Sequence, residues 1–208
     1  MTVTDIAEYK KGKYKIFLND EFAFVLYDSD LKDHPLKIGD VLSDDVYDGI
    51  IDNILKKRCR AYALHILKKQ DKSVKELRAK LSEALYPQVV IEDAISYVLS
   101  LHYADDIRYA ENYIRSVSDR AAIFEIKNRL LSKGVSADDI ETAMDNCRDA
   151  GIISMDTNLE LLKKLMQKKL GHSQEEIDEK TKIRIFSSLY RKGFKLNDIE
   201  RVYDELKG

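Results

Sequence analysis

The chain has 208 residues, with 35 basic and 37 acidic side chains, eight glycines, two prolines and no tryptophan. Many charges with few chain breakers suit a helical, water-facing protein and exclude collagen-like and disulfide-scaffold classes. The longest unbroken apolar run, Phe22 to Tyr27, is too short to span a membrane, and Met1 to Asp5 lacks a basic start before an apolar core, so the chain is expected in the cytoplasm without a secretory signal.

The first residues read as β. Tyr14 to Leu18 and Glu21 to Leu26 are rich in aromatic and branched residues, alternate only in part, and flank Asn19-Asp20. Two such runs around a short polar break predict a hairpin. Thr2 to Tyr9 is a candidate third strand, with Lys10 to Lys13 as the preceding turn, and Leu36 to Val41 reads as a connector. A hairpin alone is marginal in water, so this piece is expected to add a strand or dock on the rest.

From Ser43 the period becomes helical. Ser43 with Asp44 and Asp45 makes a helix start, followed by Val46, Ile50, Ile51, Ile54 and Leu55 at spacings of three and four. The pattern continues through Ala61 to Lys69. Ser73 and Glu76 form a capping-box pattern ahead of Val74, Leu77, Leu81 and Leu85. Beyond Pro87 comes a stripe of Val90, Ile91, Ala94, Ile95, Val98 and Leu99. Asp105 or Asp106 can cap the next helix, which carries Ile107, Ala110, Tyr113 and Ile114.

The pattern then repeats. Ile126 to Glu141 matches Ile185 to Glu200 at a shift of 59, including Lys133-Gly134 with Lys192-Gly193 and Asp139-Ile140-Glu141 with Asp198-Ile199-Glu200. A shift of 49 places Leu77, Leu81, Tyr86, Ile91, Glu92 and Ala94 on Ile126, Leu130, Val135, Ile140, Glu141 and Ala143. Internal repetition of this length indicates stacked helical units. The glycines suit helix C-termini, where a left-handed residue is needed. The expected fold is mainly α: three tandem three-helix repeats forming an elongated, curved body, with a small N-terminal β-hairpin-like extension. The expected divisions are 1–42 for the β-rich extension and 43–110, 111–157 and 158–208 for the repeats. The polar stretch from Gly171 to Glu179 reads as a joint, and Glu175 and Glu176 are alternative starts for the last repeat.

Chemistry is sparse. There is no phosphate-cradling glycine loop, and His34, His65, His102 and His172 have no ligand-spaced partners. His65 reads as a surface histidine and His102 as one packed at a helix joint. Cys59 and Cys147 lack CxxC spacing. Cys59 stands among Lys57, Arg58 and Arg60, which could lower a thiol pKa, but no base accompanies it, so a plain helical cysteine is expected. Asp105-Asp106, Asp138-Asp139 and Asn197-Asp198 are better explained as helix starts than as catalytic pairs. Tyr97, Tyr103 and Tyr113 are expected in the core. No catalytic residue, metal or cofactor is expected.

Charge is uneven. Residues 1–52 carry net −6, whereas Lys56 to Lys80 hold ten basic side chains against two acidic, net +8. A solvated helix face accounts for such a run. On charge alone that is the favoured reading over a partner surface, which could meet an acidic protein or phosphates equally well. Candidate partner-binding residues are Lys68, Lys69, Lys72, Lys75 and Arg78.

Several segments together resemble one family. These are Ala61 to Leu81, with its Ser73-x-x-Glu76-Leu77-x-x-Lys80-Leu81 core, then Tyr103-x-Asp105-Asp106-x-x-Tyr109-Ala110, then Lys133-Gly134-Val135 ahead of Ile140-Glu141. Their order and spacing resemble RecX, the bacterial regulator of the RecA recombinase, over about residues 59–208. The N-terminal piece resembles an extension carried by longer RecX proteins of some Gram-positive bacteria. Leu85-Tyr86-Pro87 departs from the Lys-Gly break, and the third repeat is divergent before Thr181. The resemblance implies a non-catalytic protein acting in homologous recombination, DNA repair and the SOS response. It implies binding to the RecA nucleoprotein filament and restraint of its growth, ATP hydrolysis and strand exchange. It leaves direct contact with single- or double-stranded DNA open, and the expected state is a monomer. A stand-alone helical-repeat module that binds nucleic acid is the alternative.

Overall fold

The computed structural model describes residues 1–171 and 177–207. The expected joint between Gly171 and Glu179, the alternative helix start at Glu175 and Glu176, and His172 therefore lie wholly or largely outside the described residues. The chain forms two compact units, Met1–Asp105 and Asp106–Gly208.

The first unit opens with an antiparallel sheet of three strands in sequential order: β1 (Val3–Lys10), β2 (Lys13–Leu18) and β3 (Glu21–Tyr27). Asn19 and Asp20 both have positive φ, 50° and 68°, the geometry of a tight turn that matches strand twist. The partial alternation has a cause. Ile16 pairs with Phe24 but Phe17 pairs with Phe22, so Ala23 is an extra residue that bulges β3. The shift sets the Phe17 and Phe22 rings edge to face, 6.0 Å apart, and lets Phe24, Val25 and Leu26 all be buried. The connector before Ser43 runs beside the start of β1, where Val3 N–H donates to Asp40 and Gly39 N–H to Val3.

A short helix, α1 (Asp28–Asp33), follows β3 and was not expected from the sequence. Its Asp30 accepts a hydrogen bond from Tyr27 N–H, a local side-chain contact that periodicity does not register. Then α2 (Asp44–Ile50), a π-helical turn (Ile51–Leu55) and α3 (Lys56–Lys69) run on without a break. Ser43 caps α2 by accepting from Val46 N–H. Ile51, Leu55, Cys59 and Ala63 are all buried, a strict spacing of four. An α-helix of 3.6 residues per turn would wind such a series off one face. One wider turn resets it.

Helices α4 (Val74–Glu83) and α5 (Gln88–Ser100) complete the unit, both packing on α3. Ser73 and Glu76 form the expected capping box: Ser73 accepts from Glu76 N–H, and Glu76 accepts from Ser73 N–H. One core joins Ile16, Phe24 and Leu26 of the sheet to Ile50, Leu55, Leu77, Leu81, Ile91 and Val98 of the helices. The extension thus docks on the first helical triplet.

The second unit contains two further triplets: α6 (Asp106–Val117), α7 (Ile123–Ser132) and α8 (Ala137–Asp149), then α9 (Met155–Leu170), α10 (Glu179–Arg191) and α11 (Leu196–Lys207). Their cores centre on Ile114, Ile126, Leu130 and Ile140, and on Leu162, Leu189, Ile199 and Val202. The break between the second and third helix is the same in all three triplets. Tyr86, Val135 and Phe194 donate to Leu81, Leu130 and Leu189, and Leu85, Gly134 and Gly193 donate to Ser82, Leu131 and Tyr190. This double closure needs a left-handed residue, with φ of 66° at Leu85, 85° at Gly134 and 90° at Gly193. The first triplet makes the same turn without glycine. At Gly193 a side chain is excluded twice, since an added Cβ would also lie 2.4 Å from Phe124.

Several side chains differ from expectation, among them Val46 and Leu99, which were placed on apolar stripes and are exposed. Tyr103 is 56% exposed, because the turn closing α5 at His102 carries it beyond the packed face. Leu85 lies past the end of α4 and does not continue its buried stripe. His102, at the joint expected for it, is itself exposed and holds φ at 54°. Tyr97 and Tyr113 are partly buried against the cores.

Candidate partner interface

The basic zone from Lys56 to Lys80 divides into two kinds of cation. The first kind is committed inside the fold. Arg58 donates to both carboxylate oxygens of Asp30 at 2.6 and 2.5 Å and lies 3.9 Å from the centre of the Tyr27 ring. Asp30 also holds the start of α1, so this pair locks the end of the sheet to α3. Arg60 makes two hydrogen bonds to Asp93, at 2.7 and 2.8 Å, and stacks over Tyr97. Lys56 bridges Asp52 at 2.7 Å and approaches Asp93 at 4.0 Å. The hydrogen bonds from Arg60 hold the Asp93 carboxyl below the ordinary aspartate range despite its partial burial.

Arg78, one of the candidate residues, belongs with these. It makes two hydrogen bonds to Glu92 of α5, at 2.8 and 3.0 Å, and lowers the pKa of that carboxyl. Its partner stands fourteen residues on, in the next helix, which is why a count of charges along α4 does not reveal it. A repeat-level signal does: at the shift of 49, Arg78 and Glu92 fall on Lys127 and Glu141, which also pair. Lys80 is bound to Glu83.

The second kind makes no ion pair among the described residues: Lys57, set apart early in α3, and the candidates Lys68, Lys69, Lys72 and Lys75. Lys68 and Lys69 occupy the last turn of α3, Lys72 lies in the short link before Ser73, and Lys75 is in the first turn of α4. Lys68, Lys69 and Lys75 are exposed, and Lys72 is partly buried. Lys68 and Lys69 complement the negative end of the α3 dipole, so a stabilising role accounts for them in part. Lys75 stands at the positive end of α4, where a cation is unfavourable. The structure therefore brings four of the candidate residues together around one helix–helix turn held by a capping box. That turn rests on Leu77 and Leu81, both completely buried.

Burial pushes the Cys59 thiol up to about 12 and the Cys147 thiol upward, the opposite of an activated nucleophile. Asp106 begins α6 and Asp138, Asp139 and Asp198 stand in first helical turns. Among the described residues no cluster of histidine, cysteine and carboxylates could hold a metal, and no helix is long and apolar enough to cross a membrane. A cleft of about 380 Å³ in the first unit, missed in the sequence reading, is lined by Tyr9, Lys13, Tyr27, Arg58, Tyr62 and Tyr86 among others. Its aromatic faces are already in use. Lys13 and Arg58 both cover Tyr27, so it reads as the sheet–helix joint.

Comparison with known proteins gives a consistent result. Residues 59–97 match the model of the RecX first three-helix domain and residues 156–203 that of the RecX third three-helix domain. Relatives named Regulatory protein RecX include one from Clostridium acetobutylicum, 28% identical across 99% of this chain and 96% of the relative. Another, from Leuconostoc mesenteroides, is 28% identical across 98% of this chain and 75% of its own length. Among solved structures, a crystal structure of regulatory protein RecX superposes with a TM-score of 0.67 over 98% of both chains, at 23% identity. That of RecX from Lactobacillus salivarius reaches 0.62 over 73% of this chain and 96% of its own, also at 23% identity. The four candidate lysines fall inside the first matched segment.

Proposed function

We propose that this chain, which belongs to the RecX family, is a non-catalytic regulator that binds the RecA recombinase and its DNA filament in the cytoplasm. It restrains filament growth, ATP hydrolysis and strand exchange. The observation that carries this reading is the group Lys68, Lys69, Lys72 and Lys75. These are four cations without an ion pair among the described residues, on a capped turn within the segment matched to the first RecX domain. Such a cluster can meet an acidic protein surface, and electrostatic complementarity of this kind speeds encounter and fixes orientation more than it adds affinity. Binding spread over repeated helical units can obstruct subunit addition without chemical turnover.

The test is ATP hydrolysis by the cognate RecA on single-stranded DNA with this protein titrated in. A rate that falls at amounts well below one per RecA subunit supports the reading. An unchanged rate on filaments seen intact by microscopy overturns it. The second reading, a stand-alone nucleic-acid-binding module, rests on the same lysines meeting phosphates. It predicts tight DNA binding that weakens steeply with salt in the absence of RecA.

A further inference from the structure

Helix α10 carries two apolar stripes. Ile185 and Leu189 are buried in the third core. Ile183, Phe186 and Tyr190 recur at spacings of three and four along a different face, where Ile183 is 58% and Tyr190 63% exposed. With Leu196 and Tyr203 of α11 they line an open groove of about 730 Å³. Anchors at i, i+3 and i+7 beside a groove are the pattern of helix-in-groove recognition.

The sister triplets close this place with charge. Arg78–Glu92 and Lys127–Glu141 each tie the second helix to the third. The repeat shifts put Phe186 and Glu200 at the same two positions. Phe186 replaces the cation and packs edge to face on Tyr203, ring centres 5.4 Å apart. Glu200 is left without an ion pair among the described residues. Where the sister triplets carry an ion pair, this one has a groove with an aromatic floor, Lys182 lying 5.6 Å from the Phe186 ring and 4.9 Å from that of Tyr203.

The groove also carries its own complement. Arg184 and Arg191 flank the outer stripe on one side of α10, seven residues apart and so nearly in line on a helix. Glu200 and Asp204 stand along α11. None of the four makes an ion pair among the described residues. We propose that this groove is a self-association surface. A second copy, related by a two-fold axis, lays its Ile183–Phe186–Tyr190 stripe in the groove and brings its two arginines to the two carboxylates. The reciprocal contact is identical by symmetry. The monomer expected from the sequence is then the dilute form of a reversible homodimer.

Sedimentation velocity of the full chain from about 1 to 200 μM tests this, with a dissociation constant expected on the order of 10 μM for a small interface. Phe186→Lys restores the residue type of the sister triplet and is expected to raise that constant at least about tenfold, with native circular dichroism. Arg184→Glu and Glu200→Arg, both at exposed positions, are each expected to weaken association. Combining the two in one chain is expected to restore it, because the exchanged charges meet across copies. A single monomer boundary at the highest concentration overturns the proposal and leaves the groove to a helix from another protein. A dimer that Phe186→Lys leaves at native affinity, or charge exchanges that fail to compensate, also overturns it. None of these readouts involves RecA, so they stand or fall apart from the regulatory reading.

Discussion

Two stretches of the first unit carry similar positive charge to different ends. Lys56, Arg58 and Arg60 face carboxylates drawn from α1, the π-helical turn and α5, and the two arginines also stack on tyrosines. Lys68, Lys69, Lys72 and Lys75, a few turns later, face none among the described residues. Arginine supplies the committed pairs that use two hydrogen bonds, as expected where a forked donor and a flat stacking surface are needed, whereas Lys56 and Lys80 pair through single contacts to nearby carboxylates. Lysine, with its well-solvated head on a flexible stem, supplies the unpaired set. Net charge along a sequence therefore overstates what is available to a partner, and the identity of the cation says more than its sign.

The sharpest way to break this contrast is to remove a committed partner. Asp30→Ala strands Arg58, whose side chain is 20% exposed against 11% for Asp30. Loss of about 3 kcal/mol is expected, measured by urea unfolding, because a largely buried cation loses its counter-charge. A loss below about 0.5 kcal/mol would mean that the pair is ornamental to the fold. Asp93→Asn comes next, with an expected loss of about 1–2 kcal/mol, since Asp93 is less buried and the amide keeps one acceptor.

The same site sets an acid dependence. Arg60 and Arg78 depress the Asp93 and Glu92 pKa values relative to the unfolded chain. Their contribution is fully present above the unfolded carboxylate value of about 4, and is lost as pH falls through the lower folded values. Urea midpoints between pH 5 and 3 should fall less steeply in Asp93→Asn than in the native chain. Equal slopes would show that Asp93 does not report on folding. The smallest effect belongs to the unpaired set. Lys75→Glu removes a cation from the start of α4 and should change stability by no more than about 0.5 kcal/mol, toward the stabilising side. Thermal unfolding checks this, and a marked loss would reveal a structural role for Lys75.

Much of the fold was legible where the signal is local. Asn19-Asp20 specified the hairpin turn, Ser73 with Glu76 the capping box, and Lys133-Gly134 and Lys192-Gly193 the helix breaks. The repeat shifts indicated the triplets, but Leu85, read as part of the α4 stripe, holds the left-handed place that glycine takes in the other two. Features that depend on distant partners were not legible. The π-helical turn follows from which face of a long helix meets the sheet, and α1 from a side-chain bond of Asp30. Tyr103 looked like a core residue because helical spacing does not register the turn that ends α5. At the candidate site, four lysines were separable from the committed arginines only once Asp30, Asp93 and Glu92 had been placed. Arg78 could have been set aside earlier, because its pairing with Glu92 is written a second time in Lys127 and Glu141.

The most direct measurement sets the native chain beside a variant in which Lys68, Lys69, Lys72 and Lys75 are all changed to glutamate. ATP hydrolysis by the cognate RecA on single-stranded DNA is followed as each is titrated in, with native circular dichroism and urea midpoint confirmed for both. The account predicts that the native chain suppresses hydrolysis at sub-stoichiometric amounts and that the variant requires at least about tenfold more, as expected when complementary charge becomes repulsive. Equal suppression by the two proteins would contradict the assignment of these lysines to the partner surface.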